Sequence, residues 1–315
     1  MGGPSDGAHL AIFEGRGRAV PSLWWSAVLP IVFVLFSGRW FAAFLAGPGS
    51  FGYDARLYAI AARAMLEGRD PYVPDLAGGY FAGPPTSLLP LVPFAYLPQE
   101  VVAVTWIAAN LVIAVLVLRR LQLPPWWLAF PPLFFPIFVG SVEIPMIGLL
   151  ILGGRLRGLS MVIKPYAALP LVAERLWRDL ALGVAVMVLS LAVLPWGTFL
   201  SELPRIQAAF SNQAFGSNAT ADPRLFVIAV IALASLGLRR ALWLATPVLS
   251  PVAQIHYAAM TLPVLTPLLA LFWAVQVPGA IVAGIVVVAI WERLGPAGRS
   301  TTSSASAASA PIDAG

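Results

Sequence analysis

Val101-Val-Ala-Val-Thr-Trp-Ile-Ala-Ala-Asn-Leu-Val-Ile-Ala-Val-Leu-Val-Leu118, followed at once by Arg119-Arg120, sets the class of the fold. The run carries no charge and approaches the ~20 apolar residues that a helix needs to cross a bilayer. Its two closing arginines mark a cytoplasmic end by the positive-inside tendency. Comparable runs recur along all 315 residues, 59% of which are hydrophobic and only 10% charged, too few for a soluble globule's surface. The sequence predicts an all-α polytopic membrane protein, one bundle of roughly eight to ten transmembrane helices, some of them short. The bundle is expected to occupy residues 20–294, after a polar cytoplasmic segment at 1–19 and before a Ser/Ala-rich disordered tail at 295–315.

Composition removes several functional classes. Cysteine is absent, which excludes disulfides, thiolate metal sites and cysteine nucleophiles. Only His9 and His256 are present, so a multi-histidine zinc centre is excluded as well. The net charge of +5 comes from small groups of arginine between apolar runs, with no basic face, and so points to membrane topology and not to nucleic acid. Lys164 is the only lysine in the chain.

Arg16 and Arg18 precede the first apolar run, which extends to Ala46, and place the N-terminus in the cytoplasm. Residues 47–99 then lie outside, and Arg119-Arg120 returns the chain inside. A third span, Pro125 to Val139, leads out to Gly140-Ser-Val-Glu143, and Ile144 to Gly153 descends to Arg155 and Arg157. Continued in this way, the count brings Asp54, Glu143, Asn212 and His256 to one extracytoplasmic side. Lys164-Pro165 interrupts its apolar segment, where a re-entrant or broken pair of half-helices is expected.

Asp54 begins an apolar stripe of Leu57, Tyr58, Ile60, Ala61, Ala64 and Met65, the spacing of an amphipathic interfacial helix. Asp54 is either the N-cap of that helix or a general base at the rim of a cavity. His256 is either an interfacial polar residue or a group that bonds a phosphate or orients the base. Lys164, a lone cation beside amides freed by proline, suits an anionic phosphate, unless it only snorkels to the headgroups. Asn212-Gln213 is a polar pair in a chain poor in them. Gly83 to Pro98 carries five prolines, too many for an ordinary span, and is expected to be either a re-entrant or interfacial piece over the outer cavity or a structural plug.

Taken in order, these pieces resemble the polyprenol-phosphate-sugar-dependent glycosyltransferases of the GT-C architecture, most closely glycosyltransferase family 87. The resemblance runs from about Gly52 to Pro263 and is carried by Asp54 with Tyr58, Ala61-Ala62 and Leu66-Glu-Gly-Arg-Asp-Pro-Tyr72; Pro84-Pro85 with Leu97-Pro98; Ile163-Lys-Pro165; Asn212-Gln213; and Ser250-Pro251 with His256-Tyr257. Gly83 stands where that family carries tyrosine, and the chain is shorter than its members.

The resemblance implies an inverting transfer of a sugar, mannose in the known members, from a polyprenyl-phosphate donor to a lipid or glycan hydroxyl at the extracytoplasmic face of the cell membrane. Asp54 and His256 would be catalytic; Lys164, Asn212 and Gln213 would bind the donor phosphate; Arg56, Tyr58, Glu143 and Tyr257 would line the acceptor cavity. No cofactor is implied, and metal dependence stays open because Asp54 and Glu143 are ligands of the type a hard cation takes. The alternatives are a flippase for a lipid-linked sugar and an inactive glycolipid-binding relative.

Overall fold

The computed structural model describes residues 23–47, 50–73, 79, 81–211, 219–250, 254–275 and 279–294. Asn212, Gln213, the segment 1–19 and the tail 295–315 lie outside the described residues. The described residues fold into helices α1 (Leu23–Ala46), α2 (Tyr53–Leu66), α3 (Gln99–Arg120), α4 (Pro131–Val139), α5 (Glu143–Leu152), α6 (Leu159–Ile163), α7 (Ala168–Ala173), α8 (Trp177–Ser190), α9 (Trp196–Ser211), α10 (Pro223–Ser235), α11 (Leu238–Leu249), α12 (Pro267–Ala274) and α13 (Ala280–Leu294). Short 3₁₀ segments join them, notably Pro85–Phe94 and Ile255–Thr261, and no β-strand occurs among the described residues.

α1 and α3 are long and apolar enough to cross a membrane, and the pair α4 and α5, bent by 118° at the Gly140 turn, counts as a third if it is one broken span. The expected eight to ten are therefore not all seen as single helices. The run from Pro125 to Val139, expected as a span, is a 3₁₀ turn followed by a helix of 9 residues, far short of the ~30 Å of hydrocarbon that a crossing must cover. Phe130, held extended before Pro131, breaks that run ahead of α4, which continues through Pro136, and Gly140, at φ 79, turns the chain into α5.

α3 shows how the chain is solvated. It buries Ala103, Trp106, Ile107, Asn110, Ala114 and Val117 at helical spacing, yet Val101, Val104, Leu111, Val112 and Leu116 on its other face are exposed. A helix apolar on every side suits a lipid-facing position. α1 follows the same rule: Phe33 is buried among Trp126, Trp127 and Phe130 while Ile31, Val34 and Leu35 face outward.

α2 departs from expectation. Instead of presenting one apolar face, it buries Ala55, Leu57, Tyr58, Ala59, Ala61, Ala62 and Ala64 and packs against both α3 and the proline-rich 3₁₀ segment. Five alanines allow neighbours to approach from several sides, which an apolar-stripe count does not register. The proline-rich segment does form a broken element, with Pro85, Thr86, Ser87, Leu88 and Leu91 buried.

The N-terminus of α2 is fixed by a close crossing. Gly52, in the left-handed region at φ 68, donates its amide to the Phe138 carbonyl at the end of α4. A Cβ on Gly52 would meet Ala103 of α3 at 2.5 Å, and one on Gly140 would meet Ala55 at 2.8 Å. Bare glycine at both positions lets α2, α3 and the α4–α5 turn meet. Gly68 has the same φ of 68 with open space around it, so it separates backbone strain from crowding. Gly68→Ala is expected to lower stability by roughly 1–2 kcal/mol, and Gly52→Ala by a further ~1–3 kcal/mol, in thermal unfolding of the detergent-solubilised protein; equal losses would contradict the crossing.

Candidate functional site

Two acids begin two helices at this crossing. Asp54 lies in the first turn of α2 and Glu143 in the first turn of α5, where the positive end of each helix dipole favours a carboxylate. Asp54 is not the N-cap: Gly52 holds that position and makes no side-chain cap. The N-cap alternative for Asp54 is thereby removed.

Glu143 is the centre of the cluster and is 1% exposed. Its Oε1 lies 3.1 Å from Lys164 Nζ and 3.3 Å from His256 Nε2, and accepts a 3.4 Å hydrogen bond from the Tyr166 hydroxyl. Its Oε2 accepts from the Ser141 hydroxyl. A carboxylate this buried is stable only when paired and hydrogen-bonded, and four donors meet that requirement.

Local sequence explains how each partner arrives. Lys164 precedes Pro165, which excludes it from helical geometry; it is extended at φ −144, ψ 117 between α6 and the 3₁₀ turn Pro165–Ala167. The half-helix pair expected around Lys164-Pro165 is present in this form. Tyr166 follows from the same break, and its ring contacts Tyr257 at 5.0 Å. His256 enters on the 3₁₀ segment Ile255–Thr261, its ring parallel to Phe135 at 6.3 Å and edge-on to Tyr257 at 4.9 Å. On α3, Asn110 donates to the Ser141 carbonyl at 3.0 Å and so fixes the turn that carries Ser141 and Glu143.

Asp54 keeps a partly open surface, but the surrounding protein desolvates its carboxyl and raises its pKa from 3.8 to about 6. Burial is the largest cause; His256, Lys164 and a hydrogen bond from Ser141 oppose it and Glu143 adds to it. The folded chain thus holds this proton up to about pH 6, whereas an unfolded one releases it near 3.8. The stability this group contributes is full in acid and is lost as the pH rises through 6. Tyr58 lies within hydrogen-bonding reach of Lys164.

Of the residues singled out from the sequence, Asp54, Tyr58, Glu143, Lys164, His256 and Tyr257 come together. Arg56 pairs instead with Glu100 at the start of α3, at 3.6 Å. Ser141, Tyr166, Asn110 and Phe135 were missed. Asn110 did leave a signal, since an amide inside an apolar span turns inward to a partner. No group of three His, Asp or Glu among the described residues is placed to hold a metal ion.

Beside the cluster lies a cavity of about 580 Å³ lined by Trp40, Phe44, Ser50, Tyr53, Phe135 and Val139, among others. Tyr53 is adjacent to Asp54, and Phe135 is the ring that lies parallel to His256. A largely apolar cavity therefore lies beside the charged cluster. No protein-family model matches the chain, and neither does any curated protein or solved structure.

Removing only Glu143 leaves Lys164 buried without its counter-charge. Glu143→Gln is expected to cost about 3–5 kcal/mol, measured by unfolding in detergent. The double variant Glu143→Gln/Lys164→Met should lose clearly less; additive losses would show that the two side chains do not interact.

Proposed function

We propose that this chain is a multi-pass membrane glycosyltransferase that moves a sugar from a polyprenyl-phosphate donor to a lipid or glycan hydroxyl at the extracytoplasmic face. The observation that carries the reading is the juxtaposition of an apolar cavity with a proton-accepting carboxylate and two nitrogen donors. The cavity suits an isoprenoid chain, and its volume lies in the range of ligand pockets. The charged cluster suits the phosphate and the reacting hydroxyl.

In the reaction, the acceptor oxygen forms a bond to the anomeric carbon on the face opposite the phosphate. The acceptor O–H breaks and its proton passes to Asp54. The bond from the anomeric carbon to the phosphate oxygen breaks, and its electron pair leaves with the phosphate, giving inversion. The departing phosphate gains negative charge, so a positive group at that oxygen lowers the barrier. Lys164 carries three N–H donors and can hold Glu143 while still reaching a phosphate oxygen.

The arginines favour one orientation in the membrane. Arg56 and Glu100 pair near the start of α3, close in sequence to Asp54. Arg120 lies at its other end, ~33 Å along the axis. Arg157 is within electrostatic reach of Arg120 and Glu174; Arg239 and Trp243 bond Glu174, and Arg240 bonds Glu292. Arg120, Arg157, Arg239 and Arg240 thus gather, together with Glu174 and Glu292, toward the end of α3 away from Asp54, and the positive-inside tendency favours a cytoplasmic side for that group.

Transport is the second reading, favoured by one observation: the charge of Lys164 is already balanced by Glu143, and buried acid–base networks of this type also relay protons in carriers. Translocation of a lipid-linked sugar across liposomes, with no new glycosidic bond, would select it.

With radiolabelled polyprenyl-phosphate mannose and purified protein, transfer should rise with pH through about 6 and level off above, because the base must be ionised. Asp54→Asn should lower the rate by about 10²–10⁴-fold. Retained transfer in that variant would remove Asp54 from the chemistry.

A further inference from the structure

Arg39 is the only charged residue of α1, set between Gly38 and Trp40 in a helix that is otherwise uncharged from Leu23 to Ala46. It stands seven residues before the end of α1 at Ala46, ~10 Å along the axis, and so within the ~30 Å of hydrocarbon that this helix is long enough to cross. Arg39 is exposed, and so are Leu35, Ala42 and Ala43, one turn away on either side. It forms no hydrogen bond or ion pair with any of the described residues. Arg56, Arg63 and Arg69, which follow in the chain, each face a glutamate. A charge at hydrocarbon depth is costly and, where it is kept, pairs with another group or serves a pathway. On α1 the described protein supplies no such group, so the partner comes from the membrane.

The surroundings of Arg39 select that partner. Trp40, Ala43, Phe44 and Gly47 of α1 line the cavity of about 580 Å³, together with Phe135 and Val139 of α4. Residues four apart on a helix stand one above the other, so Arg39 shares a ridge with Ala43, which is both exposed and part of the cavity wall. Arg39 thus marks the flank on which the cavity meets lipid. An added Cβ on Gly38 would meet nothing within 4 Å, so the long side chain beside it has room to move. Arginine lays its stem along apolar surface and carries its head toward the headgroup layer, where the guanidinium fork fits two phosphate oxygens at once.

We propose that Arg39 is a capture site for the phosphate of a single-chain lipid on the membrane-facing flank of the cavity between α1 and α4. The phosphate meets Arg39 while the lipid is still in the bilayer, the chain enters past Ala43, and the phosphate passes on to Lys164. This deepens the lipid-phosphate reading of the cavity and rests on it, but not on glycosyl transfer, since no bond is made or broken. Arg39 and Lys164 have different parts in it. Lys164 is buried and its charge is offset by Glu143, which suits holding a phosphate in place. Arg39 is exposed and faces no acid among the described residues, which suits attraction of an anion before contact.

The test is stopped-flow binding of a short-chain polyprenyl phosphate to the full-length protein in phosphatidylcholine nanodiscs, read by tryptophan fluorescence. Arg39→Gln should weaken binding by about tenfold, the worth of one charge-assisted contact, chiefly through slower association. Arg39→Lys, which keeps the charge, should restore most of the affinity. Because Arg39 touches no partner in the described protein, Arg39→Gln should leave thermal unfolding where it is, so that weaker binding reports a lost contact and not a lost fold. Inorganic phosphate should not compete. Equal binding by Arg39→Gln and the unaltered chain overturns the capture site. So does displacement by inorganic phosphate alone, which would make it a site for the free anion. If phosphatidylglycerol added to the nanodiscs removes the difference between the two chains, Arg39 serves ordinary headgroups and the proposal is again overturned. The two readings fail separately: Arg39-dependent binding without sugar transfer sinks only the enzyme, and transfer with Arg39-independent binding sinks only the capture site.

Discussion

A carboxylate removed from water must be given donors, and Glu143 is where this requirement organises the molecule. At 1% exposure it draws Ser141, His256 and the neighbouring pair Lys164 and Tyr166 from three stretches of chain. Each arrives where regular helix fails: at a glycine turn, before a proline, or on a 3₁₀ segment. The breaks are thus the means by which a helical bundle assembles a polar centre, since an unbroken apolar helix has few such groups to offer. Residual desolvation at the edge of the cluster falls on Asp54 and raises its proton affinity.

Backbone geometry supports this electrostatic centre. Gly52 and Gly140 permit three elements to approach more closely than any side chain would allow, and the Gly52 amide ties the start of α2 to the end of α4. Asp54, two residues after one glycine, and Glu143, three residues after the other, are brought near by that crossing. The apolar cavity opens beside it because α1 and α4 meet through large aromatic rings, Trp40 against Phe135 and Phe44 against Phe135. Those rings separate the helices instead of closing them together.

Much of this was legible in the letters. α1 and α3 follow from apolar runs of spanning length, and the half-helix break at Lys164 follows from the proline behind it. The hidden part has physical causes. The extended residue before Pro131 and the turn at Gly140 divide an apolar run without altering its hydropathy, so a count of spans overstates the number of long helices. The alanines of α2 read as one stripe because spacing reports one face, whereas small side chains permit burial on several. Glu143 was read as one of several cavity residues; that it is the hub depends on where its own turn meets the distant segments of Lys164 and His256, which spacing along the chain does not encode. Ser141 was passed over because a serine two residues before a glutamate is common in turns.

The central claim is that the charged cluster and the apolar cavity form a single site for a lipid phosphate. Equilibrium binding of a short-chain polyprenyl phosphate to the purified protein, followed by quenching of tryptophan fluorescence, addresses it directly, since Trp40 lines the cavity. The account predicts saturable binding that Lys164→Met abolishes and that a polyprenyl alcohol lacking the phosphate does not reproduce. Absence of binding, or equal binding by the Lys164→Met variant, would contradict it.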